Sequence, residues 1–299
     1  MLAHRLALST AAATAVLIVF GGLVTNTGAA LAVPDWPSTF GHNMFLYPWS
    51  GMVGGIFFEH SHRLLGALVG LLTVALAMAL YRRGGRLRVL GLIAVGAVVL
   101  QGLVGGLRVV LRADALAMVH GPLAQAFFAL VSAVAFLTSA AAARPVVAFD
   151  AGLRRLAVVS VAAVYAQIVL GALLTHAGWL LLHVAGAMLV FAVLPILTAR
   201  ARRTGDVVAA PLAKSLLALL AVQLALGLGA YLARFSGIWI PGGQLSMLVV
   251  PVAHRLVGGI ILATSVVLAV RLAAAVPVAA SDAARRAERV TLARGGARA

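Results

Sequence analysis

Five histidines stand near the start of apolar segments and are the side chains of this sequence best suited to chemistry. His60 and His62 open one segment, and His120, His183 and His254 lie early in three others. Neutral imidazoles in an apolar helical bundle are typical axial ligands of haem iron, and histidines on facing helices can bind one iron from opposite sides. The pattern therefore predicts haem ligation.

The spacing of these histidines predicts two sites rather than one. One histidine falls within about the first two turns of each even-numbered apolar segment, so all four lie at similar depth in the membrane. We expect His62 to pair with His120, and His183 to pair with His254, as ligands of two metals. A zinc site fits less well, because four tetrahedral ligands would have to converge at one centre.

Three charged residues accompany the predicted ligands. Glu59 precedes His62 by three residues, so the two share a helix face, and it is the only acid at the edge of an apolar segment. We predict that Glu59 is catalytic, although a favourable charge at a helix N-terminus is the simpler alternative. Arg63 and Arg255 follow His62 and His254 directly. We expect both arginines to pair with anionic groups of a cofactor, with snorkelling to the interface as the alternative.

The elements that must position these residues are transmembrane helices. The chain has 299 residues, of which 63% are hydrophobic and 10% charged, and its mean hydropathy is +1.10. This composition excludes an ordinary soluble domain and predicts an all-α integral membrane protein. Eight apolar stretches are long enough to span a bilayer, near residues 6–26, 60–80, 89–110, 117–141, 155–174, 178–198, 213–233 and 248–271.

The basic charge predicts orientation in the membrane. The net charge is +16, and 18 of the 23 basic residues fall on one side if the chain crosses eight times. By the positive-inside rule both termini are cytoplasmic, in the plasma (cell) membrane, and nucleic-acid binding is not expected. The absence of cysteine excludes thiolate metal sites and iron–sulfur clusters.

Internal similarity predicts two four-helix halves. Residues 20–28 resemble residues 170–178, and "HRLLG" at 62–66 is nearly repeated as "HRLVG" at 254–258. We predict parallel repeats over 1–145 and 150–275, an outer loop at 27–59 that caps the first half, and a basic cytoplasmic tail at 276–299. The second "HRL" segment has no counterpart of His60, which we therefore expect to be interfacial.

These residues together resemble the haem A synthase family. The resemblance rests on "EHSHR", on "TNTGAALAVPDWP" in the outer loop, on His120 and His183, and on "AHRLVGG". It implies a membrane oxidoreductase that converts haem O to haem A by oxidising a ring methyl group to a formyl group. Glu59, His62 and His120 would then form the substrate-haem site.

The resemblance also implies the role of the second half and the partners. His183 and His254 would ligate a haem B, with Arg63, Arg255 and the loop around Trp36 as supporting elements. An electron donor and the enzyme that makes haem O would be partners, within the lipid bilayer. Many family members carry a cysteine pair in the first outer loop, which this sequence lacks, so a thiol relay cannot operate here.

Two other functions are compatible with parts of the pattern. A di-haem electron-transfer protein of the cytochrome b type would share the four histidines, but it would not explain an acid restricted to one half. A transporter built from parallel repeats would use polar residues near the midplane, for which the candidates are Gln101, Gln167 and Gln223. Their simpler role is hydrogen bonding between helices.

Overall fold

A computed structural model describes residues 1–236, 238 and 241–274, and its architecture is helical. The described residues contain eight helices that are long and apolar enough to cross a membrane, which confirms the predicted all-α multi-pass membrane protein. In chain order they are α1 (Leu2–Asn26), α2 (Gly54–Tyr81), α3 (Gly85–Leu111), α4 (Asp114–Leu137), α5 (Ala151–Ala177), α6 (Leu180–Arg203), α7 (Ala209–Phe235) and α8 (Gly243–Ala273).

Most of the helices extend past the apolar stretches that predicted them, and in α5 residues at both ends cap the extended helix. The Asp150 side chain accepts a hydrogen bond of 2.8 Å from the Leu153 N–H and so caps the start of α5. Gly178 ends the same helix in the left-handed conformation that favours glycine. The extension matters most in α2, which begins at Gly54, so that Glu59 lies inside a helix rather than at its first residue.

The packing forms two rings of four helices that lie side by side. In each half consecutive helices pack against one another, and the fourth helix closes back on the first, α4 on α1 and α8 on α5. Between the halves α4 packs against α8, while α1 contacts α8 and α4 contacts α5. Large apolar side chains on the outside of both rings are exposed, as expected for surfaces that face lipid.

A buried arginine joins three segments at the end of the bundle that carries the N-terminus. Arg271 on α8 is only 1% exposed. Its guanidinium donates to both carboxylate oxygens of Asp206, at 3.0 and 2.7 Å, and to the carbonyl oxygens of Arg144 and Pro145. It therefore ties α8 to the α6–α7 connection and to the linker between the halves.

From the sequence, Arg271 counts only as one of the basic residues on the side of the termini, with no indication that it is buried. The sequence could not show that Asp206, 65 residues away, neutralises it. Burial opposes the charge of Asp206, but hydrogen bonds from Arg271 and from the Ala209 and Val208 N–H groups lower the pKa of Asp206 to about 2. The predicted tail itself, at 276–299, lies outside the described residues.

Candidate functional site

The structure brings the four predicted ligands together as two pairs of equal geometry. The ring centroids of His62 and His120 are 6.3 Å apart, with an angle of 72° between the ring planes. Those of His183 and His254 are 6.3 Å apart, at 71°. Each pair lies inside one four-helix half, between its second and fourth helices.

Each of the four histidines packs its ring against a glycine on the neighbouring odd-numbered helix. A methyl group on any of these glycines would come within 3.0–3.3 Å of the histidine Cε1 atom, closer than ordinary van der Waals contact. Only a glycine therefore lets the imidazole lie this close to the adjacent backbone. The four contacts are Gly21 with His62, Gly105 with His120, Gly171 with His183 and Gly227 with His254.

Glutamines one turn before three of these glycines hold the same helices together. The Gln101 amide donates to the His120 carbonyl at 3.2 Å, and the Gln167 amide donates to the His183 carbonyl at 2.9 Å. The amide nitrogen of Gln223 lies 3.4 Å from Nε2 of His254. This is the simple inter-helix role anticipated for the glutamines. The corresponding position in α1 is Leu17, so His62 alone has no glutamine.

The separation of the rings fits a metal bound between two imidazoles. A metal–imidazole bond is about 2.0–2.1 Å long and a ring nitrogen lies about 1.2 Å from its ring centroid, so two imidazoles on opposite sides of one metal have centroids about 6.5 Å apart. Both observed separations are 6.3 Å. Within the residues described, no group of three or more His, Cys, Asp or Glu side chains is placed to hold a metal ion.

The helix order changes one detail of the predicted repeat. His62 belongs to the second helix of its half and His254 to the fourth helix of the other half. By helix order His62 therefore corresponds to His183, and the likeness of "HRLLG" to "HRLVG" joins helices at different positions. Glu59 still has no acidic counterpart, because α6 contains no Asp or Glu.

Glu59 and Arg63 anchor the long loop between α1 and α2. One oxygen of the Glu59 carboxylate accepts from Arg63 Nη2 at 2.8 Å, and the other accepts from the Val33 N–H at 3.0 Å. Arg63 also donates to the carbonyl oxygens of Val33, Asp35 and Ser38, at 2.6–3.0 Å. The two side chains are 7% and 8% exposed. An acid and a base one helical turn apart thus hold the loop on α2.

Asp35 organises the loop itself. Burial opposes its charge, but hydrogen bonds from the Gly41 N–H, the Ser38 hydroxyl and the Phe40 N–H lower the pKa of Asp35 to about 2. Trp36, the next residue, packs on Gly106 so closely that a methyl group there would overlap the indole ring. The loop therefore packs against α3 next to Gly105, the glycine that contacts His120.

His60 lies beneath this loop and not at the lipid interface, which differs from the sequence expectation. It is 1% exposed, its Nδ1 lies 3.1 Å from the Thr39 hydroxyl, and its ring packs against Tyr47 at 5.2 Å. The comparison with the second half could not reveal this role, because that half has no loop of similar length between its first two helices.

Two further arginines lie on helices that form the histidine sites. Arg255 sits where α8 meets α1, with Nη1 3.3 Å from the position that a methyl group on Gly22 would take. Arg108 lies near the end of α3. Its Nη2 lies 3.8 Å from the carboxylate of Asp114, and its Nε is buried without a hydrogen-bond partner among the described residues.

Two comparisons with known proteins bear on the family of the chain. Residues 50–181 match the family model COX15-CtaA, described as a cytochrome oxidase assembly protein. A protein of Shouchella clausii (strain KSM-K16) named Heme A synthase is 33% identical over 121 residues. Over these residues the chain is similar to the COX15-CtaA family and to a protein named Heme A synthase.

Both matches cover part of the chain. The alignment with the Shouchella protein covers 39% of this chain and 39% of that protein, so the chain matches about two fifths of its relative's length. The family match includes Glu59, His62 and His120, while His183 and His254 lie beyond its last residue.

Proposed function

We propose that this protein is a haem A synthase, which oxidises a methyl group of haem O to the formyl group of haem A for terminal oxidases. The observation that carries the proposal is the pair of matched histidine sites, whose centroid separations of 6.3 Å both suit a metal between two imidazoles. The similar protein named Heme A synthase supports the reaction. Two successive hydroxylations of the methyl carbon, each a two-electron oxidation that needs an external oxidant, give a geminal diol, and loss of water from the diol leaves the formyl group.

We assign the substrate haem to the first half and a haem B to the second. His62 and His120 hold the substrate, and His183 with His254 hold the haem B, whose iron supplies one-electron chemistry. The difference between the halves supports this assignment. Only the first half has the acid Glu59 and the loop that it anchors.

The chain's own residues then prepare the first site for chemistry. The Glu59–Arg63 ion pair holds the loop in place, and Trp36 brings an indole ring against α3 beside the first pair. This cover excludes water from the reacting carbon, which strengthens electrostatic interactions and limits side reactions. Glu59 acts as a catalytic carboxylate in this proposal, while Arg255 supports the second site.

The cellular setting is part of the same proposal. Both termini face the cytoplasm, and the protein lies in the plasma membrane, because the basic clusters crowd one side of the bundle. An electron donor and the enzyme that makes haem O are the expected partners.

Identification of the bound haem by mass, after extraction from the purified full-length protein, tests the function. We expect haem O or haem A together with haem B. Two copies of haem B alone would instead favour a di-haem electron-transfer protein, for which the equal geometry of the pairs is the supporting observation. Protein free of haem would contradict both functions.

A further inference from the structure

The first histidine pair has a cation on a neighbouring helix, and this cation is not the expected one. A haem carries two propionate carboxylates, which need a positive partner when they are buried. The sequence favoured Arg63 for this role. The guanidinium of Arg63 is instead occupied by Glu59 and by three loop carbonyls.

Arg108 is a second cation on the helices that surround the first pair. It lies three residues after Gly105 on α3, and Gly105 is the glycine that contacts His120. Residues three apart share a helix face, so the guanidinium is about one turn from that contact.

The existing contacts of Arg108 leave its hydrogen-bonding capacity largely unused. Asp114 is 80% exposed and its carboxylate oxygen is 3.8 Å away, beyond hydrogen-bonding distance. Such an exposed ion pair contributes about 0–1 kcal/mol. The Arg108 side chain is only 20% exposed, and its buried Nε has no partner among the described residues. A guanidinium in this state is suited to a second carboxylate, which it can bind through two parallel hydrogen bonds.

We infer that Arg108 binds a porphyrin carboxylate of the haem held by His62 and His120. This inference rests on the proposed function for the identity of the ligand. It gives the first half a carboxylate-binding residue, with Arg63 left to anchor the loop. Arg108 sets the position of the macrocycle and is not itself a participant in the oxidation.

Haem binding by the full-length protein tests this inference. The second pair is first disabled by His254→Ala, so that any haem bound by the detergent-solubilised apoprotein is bound at the first pair. The apoprotein is then titrated with haem, and binding is followed by the absorbance of the bound haem. Two probes are compared, iron protoporphyrin IX and its dimethyl ester, which lacks the carboxylate charge. Arg108→Gln is the test variant and Arg108→Lys retains the charge. Arg112→Gln is the matched control, since Arg112 is exposed and lies one turn further along.

We expect Arg108→Gln to weaken binding of the free acid by about ten- to a hundredfold, because a hydrogen bond to a charged group is worth about 1.5–3 kcal/mol. Arg108→Lys should keep most of the affinity, and Arg112→Gln should match the parent. With the dimethyl ester, the parent and Arg108→Gln should bind equally.

Two results would overturn the inference. One is equal binding of the free acid by the parent and by Arg108→Gln. The other is a loss that persists with the ester, since a purely structural role does not depend on the carboxylate. If Arg108→Gln fails to fold, the parent and Arg108→Lys still decide the question. The inference would also be overturned if each of these two proteins bound the free acid and the dimethyl ester with equal affinity. Oxidation of haem O is not measured, so a failure of the synthase proposal would leave these results unchanged.

Discussion

The four glycines that face the histidines allow a graded test of the two-site arrangement. Alanine at Gly105 would put a methyl group 3.0 Å from Cε1 of His120, while alanine at Gly171 would put one 3.3 Å from His183. Ordinary contact begins at 3.4 Å, so the rings would have to move by about 0.4 Å and 0.1 Å respectively. Metal–ligand bonds tolerate about 0.2 Å of deviation. The first displacement exceeds this tolerance and the second does not.

We therefore expect Gly105→Ala to remove the low-spin haem signal of the first pair and Gly171→Ala to keep the signal of the second. Gly21→Ala and Gly227→Ala, at 3.1 Å, should fall between them. The assay is the absorbance of bound haem per mole of purified protein. Gly102→Ala is the control on α3, because a methyl group there meets nothing within 4 Å.

The test depends on the order in which the four alanine variants lose bound haem. Alanine raises helix stability by up to about 1 kcal/mol relative to glycine, so a loss of haem cannot come from weaker helices. Equal losses at Gly105 and Gly171, or full haem content in all four variants, would refute the close-contact argument.

Two further predictions concern the ion pairs. Asp206→Asn should lower the free energy of unfolding by about 3–5 kcal/mol, because it leaves the buried Arg271 unpaired. Asp150→Asn, which breaks the exposed pair with Arg200, should leave the free energy of unfolding nearly unchanged. The pKa of Asp206 is about 2 in the folded protein and about 3.9 in an unfolded chain, so its contribution to stability is complete above about pH 5 and is lost as the pH falls toward 2. Thermal unfolding against pH should show this slope for the native protein and not for Asp206→Asn. Glu59→Gln should retain bound haem but lose haem O oxidation, and proteolysis of the loop at residues 27–53 should become faster. Normal haem A formation in that variant would show that Glu59 only anchors the loop.

The sequence by itself determined the number of apolar spans and the place of each histidine along its span. Both depend on local properties, since about 20 consecutive apolar residues suffice to cross a bilayer and position within a helix sets depth. The same local information placed Glu59 and His62 on one helix face. His62 and His120 could be proposed as partners because both lie in the first half, at matched depth.

Only the tertiary structure decided which polar groups meet. The closure of each four-helix ring brings the histidine rings to 6.3 Å, and no local pattern encodes that separation. Arg63 is bound to Glu59 and to the loop, so its guanidinium has no room for a cofactor carboxylate, whereas among the described residues Arg108 makes no such contacts with the loop. These contacts of Arg63 join residues up to 30 positions apart in the sequence. In the sequence, Arg271 is one of several basic residues near the C-terminus, and only the fold shows that it is paired with Asp206. Burial and pairing of charges depend on which segments come together in space, and that is why the sequence alone could not assign them.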